Sequence, residues 1–196
     1  MDETRQERKK RLVMGISGAS GMTYAMRFLQ SVNQWDPVEI HLVITANAQA
    51  IIAHELGPQT DLSRFAFQTY RPDDLMAPIC SGSFPTDGMI IIPCSMKTVA
   101  GLACGYADNL LLRAADVTLK EKRPLLIVPR EAPFGVIHLE NLYKLAQWGV
   151  QVMPACPSFY HLPRTLDEVV DQFVFRVMDR FGLKSPIRRW GDRPSE

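Results

Sequence analysis

The chain has 196 residues, a formal net charge of +1, 46% apolar residues and 22% charged ones. Nothing in that balance points to nucleic acid or an acidic membrane surface, and no apolar run approaches the roughly 20 residues of a membrane-spanning helix. The length suits a single compact domain, residues 1–196, with a basic N-terminal tail (1–11) and a C-terminal tail (182–196).

In chain order, Leu12–Ile16 is a short apolar run ending in a glycine-rich stretch, Gly15 to Gly21. Met22–Val32 then carries apolar residues at helical spacing. Val38–Ile44 is β-branched and predicts a second strand, and Ala46–Leu56 a helix stopped by Gly57-Pro58. From Gly57 to Pro85 the pattern is weak, with two short strands expected near Ala66–Tyr70. Gly88–Pro93 predicts a buried strand, followed at once by Cys94-Ser95-Met96-Lys97-Thr98 and a helix to Cys104. Asn109–Glu121 is an amphipathic helix, Pro124–Val128 a strand, Ile137–Gln147 a helix and Val150–Met153 a short strand. Thr165–Phe181, with Asp167 and Glu168 in its first turn, is the last helix. Strands alternating with helices predict an α/β fold: an open parallel sheet with helices on both faces.

Ligands of such sheets bind outside the carboxyl ends of the strands, and three segments of unusual composition fall there. Gly15–Gly21 places glycines where a backbone approaches a ligand and where the next helix presents N–H groups to a phosphate. Its spacing is G-x-x-G-x-x-G, and the second strand ends in Thr45 rather than an acidic residue. Both features argue against NAD and for another nucleotide. The plainer alternative is a tight strand-to-helix turn. In the second segment Ser95 and Thr98 are cap or anion-binding hydroxyls beside the charge of Lys97, with a merely capped helix as the alternative. In the third, Val128 to Pro133, two prolines aim Arg130 and Glu131 at the same cleft, although an ion pair at the surface has the same residue types.

Cys80, Cys94, Cys104 and Cys156 lack the spacing of zinc or redox motifs, and four scattered histidines give no metal site. Cys94 has no histidine nearby and reads as a small buried side chain. His41 and His54 read as structural. No leader-like apolar segment follows the basic start, so a cytoplasmic protein with reduced thiols is expected.

Taken together, Ile16-Ser-Gly-Ala-Ser-Gly21, IIIPCSMKT, LLLRAADV, KEKRPLLIVPRE and PSFYHLP resemble the UbiX-type flavin prenyltransferases over about Leu12 to Phe181. The resemblance implies a flavodoxin-like or Rossmann-like three-layer fold and a homo-oligomer, commonly a dodecamer, with sites at subunit interfaces. It implies metal-free transfer of a dimethylallyl group from dimethylallyl phosphate to reduced FMN. The product, prenylated FMN, serves a UbiD-type decarboxylase. By resemblance, Gly18, Ala19, Ser20, Thr45, Ser95, Met96, Lys97, Thr98, Arg113 and Arg130 form the FMN site. Lys120, Arg130, Glu131, Tyr160 and Arg176 form the prenyl-phosphate site, drawn from more than one subunit. Ser20, Glu55, Glu131 and Tyr160 are the implied catalytic residues, and Trp190 aligns loosely with a tail aromatic. Ala46-Asn47 stands where many relatives carry Lys-Ala.

Two other readings compete. An FMN-dependent decarboxylase acting on cysteine substrates would need a catalytic histidine and an asparagine that Met153-Pro-Ala-Cys-Pro157 lacks. A non-catalytic FMN-carrier subunit would share the binding residues.

Overall fold

A computed structural model describes residues 9–191. Residues 1–8 of the basic tail and residues 192–196, Arg193 among them, lie outside the described residues. The chain runs β1 (Arg11–Ile16), α1 (Met22–Trp35), β2 (Glu39–Ile44), α2 (Ala46–Glu55), β3 (Gln68–Tyr70), β4 (Gly88–Cys94) and α3 (Met96–Ala103). It continues through α4 (Leu110–Lys120), β5 (Leu125–Pro129), α5 (Val136–Gln147), β6 (Gln151–Val152) and α6 (Leu166–Arg180). The strands form one sheet in the order β3-β2-β1-β4-β5-β6, with every pairing parallel. Strand order reverses between β1 and β4, and in a doubly wound sheet that is where a crevice opens at the carboxyl edge.

Alternation along the strands feeds two cores. Leu12, Met14 and Ile16 pack under α1 and α6 with Phe28, Leu29, Phe173 and Val177. Val13, Met89, Ile91 and Ile127 pack under α3, α4 and α5 with Val99, Leu111, Ala115 and Leu145. All of β4 is buried, which suits a central strand covered on both faces. Each of these large apolar side chains contributes about 1.5–3 kcal/mol on leaving water. Gly15 is part of this packing: a Cβ there would lie 2.9 Å from the Leu111 side chain, so its bareness lets α4 settle on β1.

The weakly patterned stretch holds one strand, β3, not two, together with 3-10 turns at Ser63–Phe65 and Pro78–Cys80. Its anchors are single buried residues, Leu62, Ala77 and Ile79, too sparse to set a period. Arg123 organises its end by donating to the carbonyls of Gly82 (2.6 Å) and Phe84 (2.9 Å) and to the Thr86 hydroxyl (3.1 Å). β6 is also shorter than expected, because only Gln151 and Val152 pair with β5.

His41 is structural. It is buried in β2, stacked on Tyr70 and edge-on to Phe84, with its Nδ1 2.7 Å from the Tyr70 hydroxyl. Burial, then the nearby Arg11 charge, hold its pKa below the ordinary value, against a smaller opposing pull from Glu39. The unfolded chain therefore binds a proton at His41 before the folded chain does. Stability should be unaffected by this group above about pH 6.5 and should fall as pH drops below it, until the folded ring itself protonates. Denaturant melts at stepped pH should show that decline in the parent protein and a flatter profile in His41→Gln. Equal slopes would show that His41 does not carry it.

Candidate functional site at the carboxyl edge

Loops from β1 and β4 meet at the crevice and are stitched together by a buried hydroxyl, Ser17. Its Oγ lies 3.2 Å from the Pro93 carbonyl and 3.4 Å from Ser95 Oγ, and it accepts the Ser95 N–H at 2.8 Å. Ser95 in turn caps α3, accepting Thr98 N–H at 3.4 Å, with the two side-chain oxygens 3.1 Å apart. Met96 and Thr98 are buried in this first turn and Lys97 is exposed beside it. The result is a helix start lined by hydroxyls, with a cation at hand, which suits a phosphate. Thr45 caps α2 next door, accepting Ala48 N–H at 3.3 Å. Gly18 touches that helix closely: a Cβ there would sit 2.8 Å from Cβ of Asn47.

The start of α1 differs from expectation. Its first N–H groups are not free for a phosphate, because the Glu55 carboxylate accepts from Gly21 at 3.0 Å and Met22 at 2.8 Å. Gly21 sits at φ +105°, a conformation that favours glycine, and brings its N–H round to Glu55. A carboxylate is the anion that a helix N-terminus attracts. Partial burial raises the Glu55 pKa, but hydrogen bonds from Ser20, Met22 and Gly21 and the charge of Arg130 outweigh it, so the group lies below the usual range. Arg130, at the end of β5, donates through Nε to the Ser20 carbonyl at 3.2 Å. Glu131 follows it, half-buried, accepting the Ala132 N–H at 3.1 Å. Thus Gly18, Ala19, Ser20, Thr45, Glu55, Ser95, Thr98, Arg130 and Glu131 all lie on loops or helix ends at the carboxyl edge, and direct contacts tie Ser20, Glu55 and Arg130 together.

A second group lies beyond β6. Ala155 N–H donates to the Pro129 carbonyl at 3.3 Å, so the segment leading to Tyr160 starts beside the end of β5. The Tyr160 hydroxyl donates to the Arg188 carbonyl at 3.1 Å, and Trp190 meets the Tyr160 ring edge-on at 5.6 Å. Arg176 and Arg189 both pair with Asp179, at 3.0 and 2.6 Å. The tail aromatic therefore does reach Tyr160.

Two expected residues stand apart. Lys120 ends α4 and pairs with Glu121. A Cβ on Gly82 would come 2.7 Å from Lys120 Nζ, and Gly82 belongs to the loop that enters β4 at the amino edge of the sheet. Arg113 is paired with Asp116 at 2.7 Å on α4 and is half-buried. One chain alone thus does not bring Lys120 to Arg130 and Glu131. A cavity of about 310 Å³ lies between α3, α4 and Trp148, and Lys120 lines it with Tyr106 and Leu112.

Ser17 is the residue that sequence reasoning passed over. Its signal is a hydroxyl set directly after an apolar strand, where only a partner makes burial tolerable. Among the described residues no three His, Cys, Asp or Glu side chains gather as metal ligands, and no helix is long and apolar enough to cross a membrane. All four cysteines are unpaired, and burial pushes the Cys94 thiol far above the range of a reactive thiolate.

The profile of the flavoprotein family matches residues 1–177. A protein of Streptomyces sp. (strain D7), named a probable UbiX-like flavin prenyltransferase, is 49% identical over 92% of this chain and 91% of its own. A dodecameric FMN-dependent UbiX-like decarboxylase from Escherichia coli O157:H7 superposes with TM-score 0.89 at 47% identity, over 93% of this chain and 100% of that one. A UbiX protein crystallised with FMN and dimethylallyl pyrophosphate superposes with TM-score 0.90 at 36% identity, over 95% and 100%.

Proposed function

Because the chain belongs to the family of UbiX-like flavin prenyltransferases, we propose that it joins a dimethylallyl group from dimethylallyl phosphate to reduced FMN. The observation that carries this reading is the carboxyl-edge junction. There a helix start with hydroxyls and a cation (Ser95, Thr98, Lys97) and two opposite charges that each bond to Ser20 (Arg130, Glu55) flank the Ser20 loop.

FMN fits this junction, since its phosphate matches the α3 start with Ser17 holding the two loops in register. Gly18, Ala19, Ser20, Thr45, Ser95, Met96, Lys97, Thr98 and Arg130 would hold it, with Arg113, which stands apart within one chain, supplied by another copy. Reduced flavin supplies an electron-rich nucleophile. The allylic C–O bond breaks and phosphate leaves with the bonding pair, so negative charge grows on phosphate oxygens. Arg130, Arg176 and a Lys120 from another copy stabilise that charge, each such contact being worth on the order of 3 kcal/mol. Tyr160 donates a hydrogen bond from its hydroxyl to a phosphate oxygen, and Glu131 orders the cations. The Ser20 hydroxyl, hydrogen-bonded to Glu55, is placed to handle a proton at the flavin.

The assembly is a homo-oligomer, which we place as a dodecamer like the Escherichia coli protein. The product is consumed by a UbiD-type decarboxylase, and the protein works in the cytoplasm on small molecules, without nucleic acid or membrane. Anaerobic incubation with reduced FMN and dimethylallyl phosphate, followed by mass analysis of released flavin, tests the reaction. A gain of one C5H8 unit is expected. Flavin returned unmodified would leave the FMN-carrier reading in its place.

A further inference from the structure

Beside Tyr160 sits a polar side chain that the reaction described above does not use. Gln172 lies in the middle of α6 and is 5% exposed. A glutamine amide at that depth must find partners, and it finds them in Tyr160 and the C-terminal tail. Its Nε2 donates to the Arg188 carbonyl at 2.6 Å and lies 3.3 Å from the Tyr160 oxygen, while its Oε1 accepts the Arg188 N–H at 3.4 Å. The Arg188 carbonyl therefore receives two donors, Gln172 Nε2 and the Tyr160 hydroxyl at 3.1 Å.

That double occupancy has a chemical consequence. A phenol has one hydrogen to give. In this arrangement the Tyr160 hydrogen rests on Arg188, yet Arg188 stays satisfied by Gln172 if the hydrogen turns away. The tail can therefore remain docked while the hydroxyl turns to another acceptor, and Gln172 continues to hold the phenol oxygen from its lone-pair side. We propose that Gln172 is a positioning residue: it clamps the C-terminal tail through Arg188 and fixes the Tyr160 oxygen, so that the hydroxyl proton transfers its hydrogen bond from Arg188 to the phosphate of an allylic donor. This rests on the prenyltransferase reading and on Tyr160 as a phosphate contact.

The test uses the assembled protein with reduced FMN. Gln172→Leu removes both donors at similar volume, and Gln172→Glu keeps the shape and the acceptor for Arg188 N–H but loses the donors. Either variant should raise KM for dimethylallyl phosphate by about fivefold to tenfold, the factor of one lost hydrogen bond. FMN affinity should stay within about twofold. Hydrogen exchange in the segment around Arg188 should speed up in both variants. In the parent protein, saturating dimethylallyl phosphate should leave that exchange slow, because the tail stays clamped. On a Tyr160→Phe background, Gln172→Leu should add less than about twofold to the loss, since the group it positions is gone. Unchanged KM, unchanged tail exchange, or fully additive losses would each overturn the role of Gln172, as would donor-induced release of the parent tail. Absence of prenylated flavin from the parent protein would instead overturn the reaction itself, so the two failures are separable.

Discussion

Arg130→Ala is expected to lower kcat/KM for dimethylallyl phosphate by about a thousandfold, the upper end of what one fixed charge contributes to a developing anion. The structure explains why so exposed an arginine should matter. Its Nε is held by the Ser20 carbonyl, and its charge lies close enough to Glu55 to depress that carboxyl. Anchored there, the guanidinium is oriented in advance, and its Nη edge is the part that would meet the proposed phosphate. Arg130→Lys should recover only a small part of the loss, because an ammonium restores the charge without the two-pronged geometry or the grip on Ser20. Initial rates read by flavin mass, with melting temperature as a control for folding, decide the matter. A loss below about tenfold would mean that the leaving phosphate lies elsewhere.

The second large effect concerns Lys120. It lies by the loop that enters the amino edge of the sheet, while Arg130 lies at the carboxyl edge. If the site uses both, they come from different copies. Lys120→Ala and Arg130→Ala should each be nearly inactive alone. Unfolded together in equal amounts and reassembled, they should regain activity, because about a quarter of sites then draw both parent residues from neighbouring copies in a heterologous contact. Activity of the mixture no higher than the mean of the two variants would show that one chain supplies the whole set, or that Lys120 is not part of it.

How much of this was readable beforehand follows from the period of each feature. Alternating strands and helices set the sheet and its two faces, and Asn109, Thr165 and Ser95 stand at the helix starts expected there, each accepting a first-turn N–H. The region between Gly57 and Pro85 resisted because its buried anchors are sparse and its end is ordered by Arg123, far along the chain. In the crevice, residue types predicted the cluster of Ser95, Thr98 and Arg130 at the carboxyl edge. The occupant of the α1 start was not readable, since Glu55 reaches it from the end of another helix. Nor was Gln172, whose meaning depends on a tail carbonyl that no pattern announces. The glycines mixed two purposes: Gly15 serves helix packing, whereas Gly21 serves the turn.

The stitch between Ser17 and Ser95 joins residues 78 positions apart. It exists only after β1 and β4 have found their parallel register, and such non-local pairing is the slow part of assembling a sheet. With the flavin seated at this junction as proposed, its capture would be a late event in the life of each new chain. Bound flavin would not nucleate folding but would report its completion, and chains stalled with an open sheet centre would remain colourless.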